Sequence, residues 1–154
     1  NFKVSGWSRS EKQLAHITHF HGDAQLADFL KELDVLVCLL PLTPQTEEIL
    51  NLDVFKQLPA HCLLINVARG KHLNEADLLT ALDQDELAAA VLDVFTEEPL
   101  PKSHVFWSHP KITITPHCAA LTQLKTVCEQ IADNVKAQQA NTQLSNLVCK
   151  QKGY

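Results

Sequence analysis

Short apolar runs alternate with segments of helical periodicity along almost the whole chain, and this alternation restricts the possible folds more than any other feature. Three of the runs, at 34–40, 62–67 and 88–94, are rich in Val, Leu, Ile and Ala. Continuous apolar runs of this length are typical of parallel strands that helices cover on both faces. The pattern therefore predicts an α/β fold with a doubly wound parallel sheet.

The individual elements follow from the same pattern. Strands are predicted at 2–7, 17–20, 34–40, 62–67, 88–94 and 112–115. Asp23 is predicted to cap a helix whose apolar residues recur at helical spacing, namely Leu26, Phe29, Leu30 and Leu33. Asn51 is predicted to cap a short helix that ends at Leu58, before Pro59, and Asn74 to start the next helix. A long final helix is predicted from 121 to about 140.

Polar residues lie at the ends of three of the predicted strands, at positions where the sheet itself does not need them. The segments are Asn66-Val-Ala-Arg69-Gly70, Asp93-Val-Phe-Thr-Glu-Glu98-Pro99 and Pro116-His117. Ligands bind at the carboxyl ends of the strands in open parallel sheets, so we expect these groups to converge on one crevice. Each residue alone also has an ordinary structural interpretation, as a turn residue, a loop charge or a hydrogen-bonded histidine.

In this order and at these intervals, the three segments resemble the D-isomer-specific 2-hydroxyacid dehydrogenase family across essentially the whole chain. The shared motifs are Asn-x-x-Arg-Gly, Leu-Asp-Val-Phe-x-x-Glu-Pro-Leu and Thr-Pro-His. Four further segments are most similar to the glyoxylate/hydroxypyruvate reductase A branch: Trp7-Ser-Arg-Ser10, Leu39-Leu-Pro-Leu-Thr-Pro-x-Thr46, Ile114-Thr-Pro-His-Cys-Ala-Ala120 and Gly153-Tyr154. The resemblance implies a Rossmann-like fold and an oxidoreductase that reduces 2-oxo acids such as glyoxylate and hydroxypyruvate with a nicotinamide cofactor.

By this resemblance Arg69, Glu98 and His117 form the catalytic set. Arg69 would hold the carboxylate and carbonyl oxygen of a 2-oxo acid, because its planar fork suits bidentate binding. His117 would protonate the carbonyl oxygen as hydride reaches the carbon, and Glu98 would favour the protonated imidazole. We expect all three to come from adjacent strand ends on one side of the sheet, with Glu98 within reach of the imidazole.

The resemblance also assigns a cofactor site. Asp93 would face the nicotinamide carboxamide, the backbone of 67–69 would line the nicotinamide, and Pro41 and Thr46 would lie beside the adenosine and pyrophosphate. The predicted cofactor-binding residues are Trp7, Ser8, Arg9, Ser10, Lys12, Leu40, Pro41, Thr46, Val67, Ala68, Arg69, Asp93, His117 and Ala119.

The end of the first predicted strand indicates which cofactor is preferred. A dinucleotide fold that prefers NAD places an acid there for the ribose 2′-hydroxyl, whereas an arginine accommodates the 2′-phosphate of NADP. In this chain Arg9 occupies that region, Lys12 follows closely, and no acidic residue precedes Glu11. NADP(H) is therefore the expected cofactor, with NAD as the alternative.

The glycine fingerprint of dinucleotide-binding folds, G-x-G-x-x-G, is missing from the sequence, which has only four glycines. If 2–7 is the second strand, the central first strand and its glycine-rich loop would precede Asn1. The strands at 2–7 and 35–40 would then have unpaired edges toward each other. We therefore expect a C-terminal fragment, with an incomplete dinucleotide-binding domain at 1–120. Residues 121–154 would form a helix and tail that return toward the substrate domain.

Charge and cysteine content restrict the partners and the compartment. The net charge is −5 without a long basic block, so neither nucleic acid nor a membrane surface is indicated as a partner. The five cysteines are odd in number and irregularly spaced, which predicts buried thiols in a reducing compartment. We expect a soluble cytoplasmic protein with a small-molecule substrate, and the resemblance implies a homodimer for the full-length protein.

Two other functions stay open at this point. The chain could belong to a D-lactate or D-glycerate dehydrogenase, which would differ chiefly in parts that this sequence lacks. It could also belong to a non-enzymatic, dinucleotide-binding protein of the transcriptional corepressor type. His16, His19 and His21 lie around one short strand without supporting acids or thiols, so they predict a surface cluster and no metal site.

Overall fold

The computed structural model describes residues 2–150, which form strands and helices in the predicted alternating order. The strands are β1 (Ser5–Ser8), β2 (Thr18–His21), β3 (Val35–Cys38), β4 (Leu63–Asn66), β5 (Ala89–Leu92) and β6 (Ile112–Ile114). The helices are α1 (Leu26–Leu30), α2 (Leu52–Phe55), α3 (Glu75–Asp83) and α4 (Leu124–Gln139). Short 3₁₀ turns occur at Asp23–Gln25, Gly70–His72 and Val105–Trp107. The terminal Gly153-Tyr154 motif lies outside the described residues.

The chain divides into two compact units, of which the first ends at Pro116 and the second begins at His117. The first unit contains all six strands, and the second contains α4. The predicted boundary between residues 120 and 121, and the return of the tail toward a substrate domain, stay predictions.

The strands of the first unit form two parallel sheets, one with the order β1-β2 and one with the order β3-β4-β5-β6. This arrangement matches the strand order 3-2-1-4-5-6 with strand 1 left out and with β6 as one further strand beside the last. In the described part of the chain, β1 and β3 are end strands of different sheets. Val37 on the border strand β3 is 45% exposed, although a central strand of such a sheet is normally covered. The predicted α/β Rossmann-like fold without its first strand is confirmed.

The strands of the larger sheet end in register. Cys38 pairs with Asn66, Asn66 with Leu92, and Leu92 with Ile114. Each of these residues is the last of its strand, so the four following loops leave the sheet from one row. The register thus determines which residues meet at the carboxyl edge.

Burial of apolar side chains stabilises this sheet and its helices. Leu64, Ala90 and Leu92 have 0–1% of their surface exposed and share the core with Phe55 of α2 and Leu82 of α3. Full burial of a Leu or Phe side chain contributes about 1.5–3 kcal/mol each. The core therefore stabilises the sheet from whose carboxyl edge the site loops extend.

Two predicted helix caps are confirmed and one is wrong. The side chains of Asn51 and Asn74 accept hydrogen bonds from the backbone N–H groups of Val54 and Asp77. Asp23, in contrast, lies inside a 3₁₀ turn that Gly22 precedes, and no side-chain cap bond forms there. Gly22, with a left-handed φ of 65°, occupies the cap position instead of Asp23, and glycine has no side chain that could accept a hydrogen bond there.

Several predicted boundaries were too wide. Residues 2–4 are not part of β1, because the pairing with β2 covers only Ser5–Ser8, and Phe2 is 95% exposed. Helix α2 ends at Phe55, since the N–H groups of Gln57 and Leu58 bond three residues back in tighter 3₁₀ geometry. Residues 121–123 precede α4 without helical structure.

The prediction that the cysteines are buried holds for Cys38 and Cys62 and is wrong for Cys118 and Cys128. Cys128 lies on α4, which buries none of its residues in the described structure. Among the described helices, none is long and apolar enough to cross a bilayer.

Candidate active site

The loop after β4 carries Arg69 and is held by the last residue of that strand. The buried Asn66 side chain accepts a hydrogen bond from the Ala68 N–H at 3.1 Å and donates one to the Arg69 carbonyl at 3.1 Å. Arg69 itself is exposed, and its Nη1 donates to the Ala68 carbonyl at 2.6 Å. Val67, which is half-buried, completes this short loop. The result is a permanently charged guanidinium on a well-ordered support, which suits the binding of a carboxylate.

The loop after β5 lies directly against the Arg69 loop, and Gly70 makes this approach possible. A Cβ at Gly70 would come within 1.9 Å of the Phe95 carbonyl carbon and 2.3 Å of the Thr96 nitrogen. Only glycine fits where two backbones come so close. In the same loop the Phe95 N–H donates to Glu98 Oε1 at 2.9 Å, which gives the exposed Glu98 a defined position.

Asp93 joins three neighbouring strand ends. It is the first residue after β5, it is 2% exposed, and its N–H donates to the Asn66 carbonyl at 3.0 Å. Thr115, the first residue after β6, donates its hydroxyl to Asp93 Oδ1. A buried carboxylate at this edge is costly unless it is hydrogen-bonded, and Thr115 provides one such bond.

His117 is the first residue of the second unit and is exposed. Its φ of 51° lies in the left-handed region, which non-glycine residues rarely adopt and which often marks functional positions. Ala119 lies two residues further on and is exposed as well. Arg69 and Glu98 thus follow adjacent strands at one edge of the sheet, whereas the contact of Glu98 with the imidazole stays a prediction.

The loop after β1 carries the three predicted cofactor residues Arg9, Ser10 and Lys12, which are all exposed. His19 of β2 organises this loop. Its Nδ1 accepts from the Lys12 N–H at 3.3 Å, and its Nε2 lies 2.9 Å from Ser8 Oγ. Because Ser8 donates its proton to the Ser10 carbonyl at 2.8 Å, its oxygen accepts from His19 Nε2–H. The neutral imidazole therefore connects both sides of the loop.

The remaining predicted cofactor residues lie at the ends of β1 and β3. Trp7 donates its indole N–H to the Gly22 carbonyl at 2.9 Å, so its ring is fixed beside the turn after β2. Leu40 and Pro41 follow β3, and Thr46 closes their loop because its hydroxyl donates to the Pro41 carbonyl at 2.7 Å. The Thr46 oxygen also accepts from the Thr43 N–H at 2.9 Å.

The first unit also contains cysteines and histidines outside the set of predicted site residues. Burial raises the pKa of the Cys38 thiol, and it raises the pKa of the Cys62 thiol to about 11, so both stay protonated near neutral pH. The rings of His19 and His21 are stacked with centroids 6.4 Å apart. Within residues 2–150, no three His, Cys, Asp or Glu side chains are grouped so that they could hold a metal ion.

Three supporting residues were not among the predicted site residues. Asn66 begins the Asn-x-x-Arg-Gly motif and is an amide at the end of an otherwise apolar strand, but the motif assigns the site role to Arg69 alone. Thr115 belongs to the Thr-Pro-His motif, but its partner Asp93 is identified only by the strand register. His19 carries no such signal, because its partner Lys12 is identified only by the loop geometry. All three act through hydrogen bonds to backbone, hydroxyl or carboxylate groups.

Residues 1–119 match the family model described as D-isomer specific 2-hydroxyacid dehydrogenase, NAD binding domain. Glyoxylate/hydroxypyruvate reductase A of Yersinia enterocolitica is 48% identical over 153 residues, which cover 99% of this chain and 49% of the relative. The enzyme of the same name from Serratia proteamaculans is 49% identical, with the same coverage of both chains. This chain thus spans about half the length of these curated relatives.

Solved structures give the same result. A D-isomer specific 2-hydroxyacid dehydrogenase from Xanthobacter autotrophicus, in complex with NADPH and MES, has a TM-score of 0.95 and 38% identity, covering 99% of this chain and 63% of that one. The NADPH-dependent glyoxylate/hydroxypyruvate reductase from Sinorhizobium meliloti, in complex with NADP and sulfate, has a TM-score of 0.93 and 37% identity, covering 99% and 50%. The chain therefore belongs to the D-isomer specific 2-hydroxyacid dehydrogenase family, of which it carries the NAD binding domain.

Proposed function

We propose that this chain is the cofactor-binding and catalytic half of an NADPH-dependent reductase that converts 2-oxo acids, glyoxylate and hydroxypyruvate among them, into 2-hydroxy acids. The observation that carries the proposal is the in-register carboxyl edge, where the Arg69 loop and the Glu98 loop meet backbone to backbone at Gly70. The names of the curated relatives from Yersinia and Serratia support this substrate class over a D-lactate or D-glycerate dehydrogenase.

The donor groups of the chain fit two parts of the cofactor. The exposed Arg9 and Lys12, on the loop that His19 organises, suit the 2′-phosphate of NADP. The buried carboxylate of Asp93 and the backbone of 67–69 suit the nicotinamide amide. The chain lacks a G-x-G-x-x-G loop, so the pyrophosphate would need groups beyond this sequence. When bound, the reduced nicotinamide supplies a hydride.

The chain's own residues handle the acid and its proton. Arg69 binds the carboxylate and stabilises the negative charge that develops on the carbonyl oxygen. His117 delivers a proton to that oxygen, and Glu98 favours the charged imidazole. In the reverse direction His117 is the base that removes this proton.

The proposal includes a cytoplasmic location and a homodimer. The location is supported by the odd number and irregular spacing of the five cysteines, which are typical of a reducing compartment. The homodimer is supported by the family resemblance, and sedimentation velocity would measure it.

Activity assays need the other half of the enzyme. We call the following fusion the completed enzyme: this chain joined to the part of the Yersinia enterocolitica relative that does not align with it. In the completed enzyme, His117→Ala is expected to lower kcat for glyoxylate by roughly two to four orders of magnitude, the usual contribution of a positioned general acid. The Kd of NADPH, measured by its fluorescence, is expected to stay within about threefold, since other groups hold the cofactor.

His61→Ala is the matched control, because His61 is an exposed histidine that precedes β4 at the opposite edge of the sheet. Its kcat is expected to equal that of the parent. Parental turnover in His117→Ala would show that the proton donor lies elsewhere, and the chain would then support only cofactor binding.

A further inference from the structure

His72 is a fully buried histidine that hydrogen-bonds to the backbone of Arg69, the proposed substrate-binding residue. It ends the 3₁₀ turn Gly70–His72, and its exposed fraction is 0%. Its backbone also joins the turn to the segment before α2, because the His72 carbonyl accepts from the Leu50 N–H at 2.9 Å. A polar ring is expensive to bury, so its hydrogen bonds indicate what it does.

The surroundings of the ring determine its proton. Nδ1 lies 3.1 Å from the Arg69 carbonyl oxygen, which can only accept, so Nδ1 carries a hydrogen. Nε2 is buried and has no hydrogen-bond partner among residues 2–150. A second proton there would create a buried charge without a counter-charge, so the ring is neutral with its hydrogen on Nδ1.

The Arg69 carbonyl oxygen consequently accepts hydrogen bonds from two residues, Asn66 and His72. It accepts from Asn66 Nδ2 at 3.1 Å, from the His72 N–H at 3.2 Å and from His72 Nδ1. Asn66 also fixes the Ala68 N–H at 3.1 Å. Two fully buried polar side chains, Asn66 and His72, thus hydrogen-bond to the backbone of Ala68 and Arg69, which leaves these peptide groups little rotational freedom.

We infer that His72 is a positioning residue that orients Arg69 toward the 2-oxo acid through the Arg69 carbonyl. This inference rests on the proposed function, because it requires Arg69 to bind substrate. A hydrophobic side chain of similar size would fill the same space without donating to that carbonyl. The Nδ1 donor is therefore the property that distinguishes histidine here.

The test compares His72→Leu with His72→Asn in the completed enzyme. Leucine removes the donor, whereas the asparagine amide nitrogen occupies the place of Nδ1 and retains it. His72→Leu is expected to lower kcat/KM for glyoxylate by about tenfold to a hundredfold, as misplacement of a binding group does, mainly through a higher KM. His72→Asn is expected to keep kcat/KM within about threefold of the parent.

A double-mutant cycle with Arg69→Lys separates positioning from general loss of structure. If His72 acts through Arg69, His72→Leu lowers kcat/KM by less than about threefold further once Arg69 is lysine. An equal loss in both backgrounds would overturn the inference, as would parental kcat/KM in His72→Leu. If His72→Leu does not fold, His72→Gln, whose amide reaches the place of Nε2, replaces it with the same expected outcomes.

The Arg69→Lys variant by itself tests the substrate role of Arg69 separately from the positioning role of His72. Parental kcat/KM in Arg69→Lys would overturn the proposed substrate role of Arg69 and the role of His72 with it. A low value in Arg69→Lys beside a parental value in His72→Leu would overturn only the role of His72.

Discussion

Gly70→Ala would insert one methyl group where two loops of the candidate site touch. The new Cβ would lie 1.9 Å from the Phe95 carbonyl carbon, 2.0 Å from the Phe95 oxygen and 2.3 Å from the Thr96 nitrogen. All three are backbone atoms, so no side chain can rotate away. Because real Cβ contacts are almost never under 3.0 Å, the two loops must separate by about 1 Å.

This separation predicts two measurable losses. Overpacking of this kind costs about 1–3 kcal/mol of stability. For a domain of this length that corresponds to a decrease in Tm of roughly 2–12 °C. A shift of about 1 Å between the loops of Arg69 and Glu98 is also expected to lower kcat/KM by about a hundredfold.

The assay is thermal unfolding by circular dichroism together with steady-state glyoxylate reduction by the completed enzyme. Gly6→Ala is the matched control, because a Cβ on Gly6 would meet only the side chains of His19 and Ile17 at 3.9 Å, an ordinary contact distance. The control is expected to retain its Tm and kcat/KM. If Gly70→Ala behaved like Gly6→Ala in both measurements, the close approach of the two loops would not exist in the protein.

Two further predictions concern the cofactor and the buried thiols. Arg9→Asp in the completed enzyme is expected to lower the ratio of kcat/KM with NADPH to that with NADH by about tenfold to a hundredfold, since a charged hydrogen bond is lost. The exposed Lys3→Asp should leave that ratio unchanged, and an unchanged ratio in Arg9→Asp would remove Arg9 from the site. Because the pKa of Cys62 is about 11, only about a thousandth of this thiol is thiolate at pH 8. Iodoacetamide is therefore expected to modify the exposed Cys128 at least about a hundred times faster than Cys62. Peptide mass spectrometry measures both rates. Equal rates would contradict the burial of Cys62.

The sequence predicts the elements of this fold well where local chemistry determines them. Asn51 and Asn74 cap helices because a short amide side chain can reach the N–H groups of the first turn, and this depends on neighbouring residues alone. The apolar runs become β3, β4 and β5 for a similar reason, since both faces of such strands are normally covered.

Boundaries and side-chain environments are less predictable, because distant residues determine them. Phe2 looks like part of a strand, but pairing with β2 begins only at Ser5. Cys128 lies in an amphipathic helix, yet α4 buries none of its residues in the described structure. Neither outcome follows from periodicity, since each depends on which partner surface is available.

The candidate site shows the same division between its charged groups and their supports. Arg69 and Glu98 are recognisable from motifs because their chemistry requires these residue types at strand ends. Their geometry depends on Asn66, Gly70 and His72, which contribute hydrogen bonds and close packing and no charge. A charged side chain binds a carboxylate selectively only if its backbone is already in place, because otherwise binding must pay the cost of ordering it. The neutral supports are therefore expected to affect KM and kcat/KM as strongly as many direct contacts, although the motif that contains Asn66 and Gly70 does not reveal the hydrogen bonds and close packing that they provide.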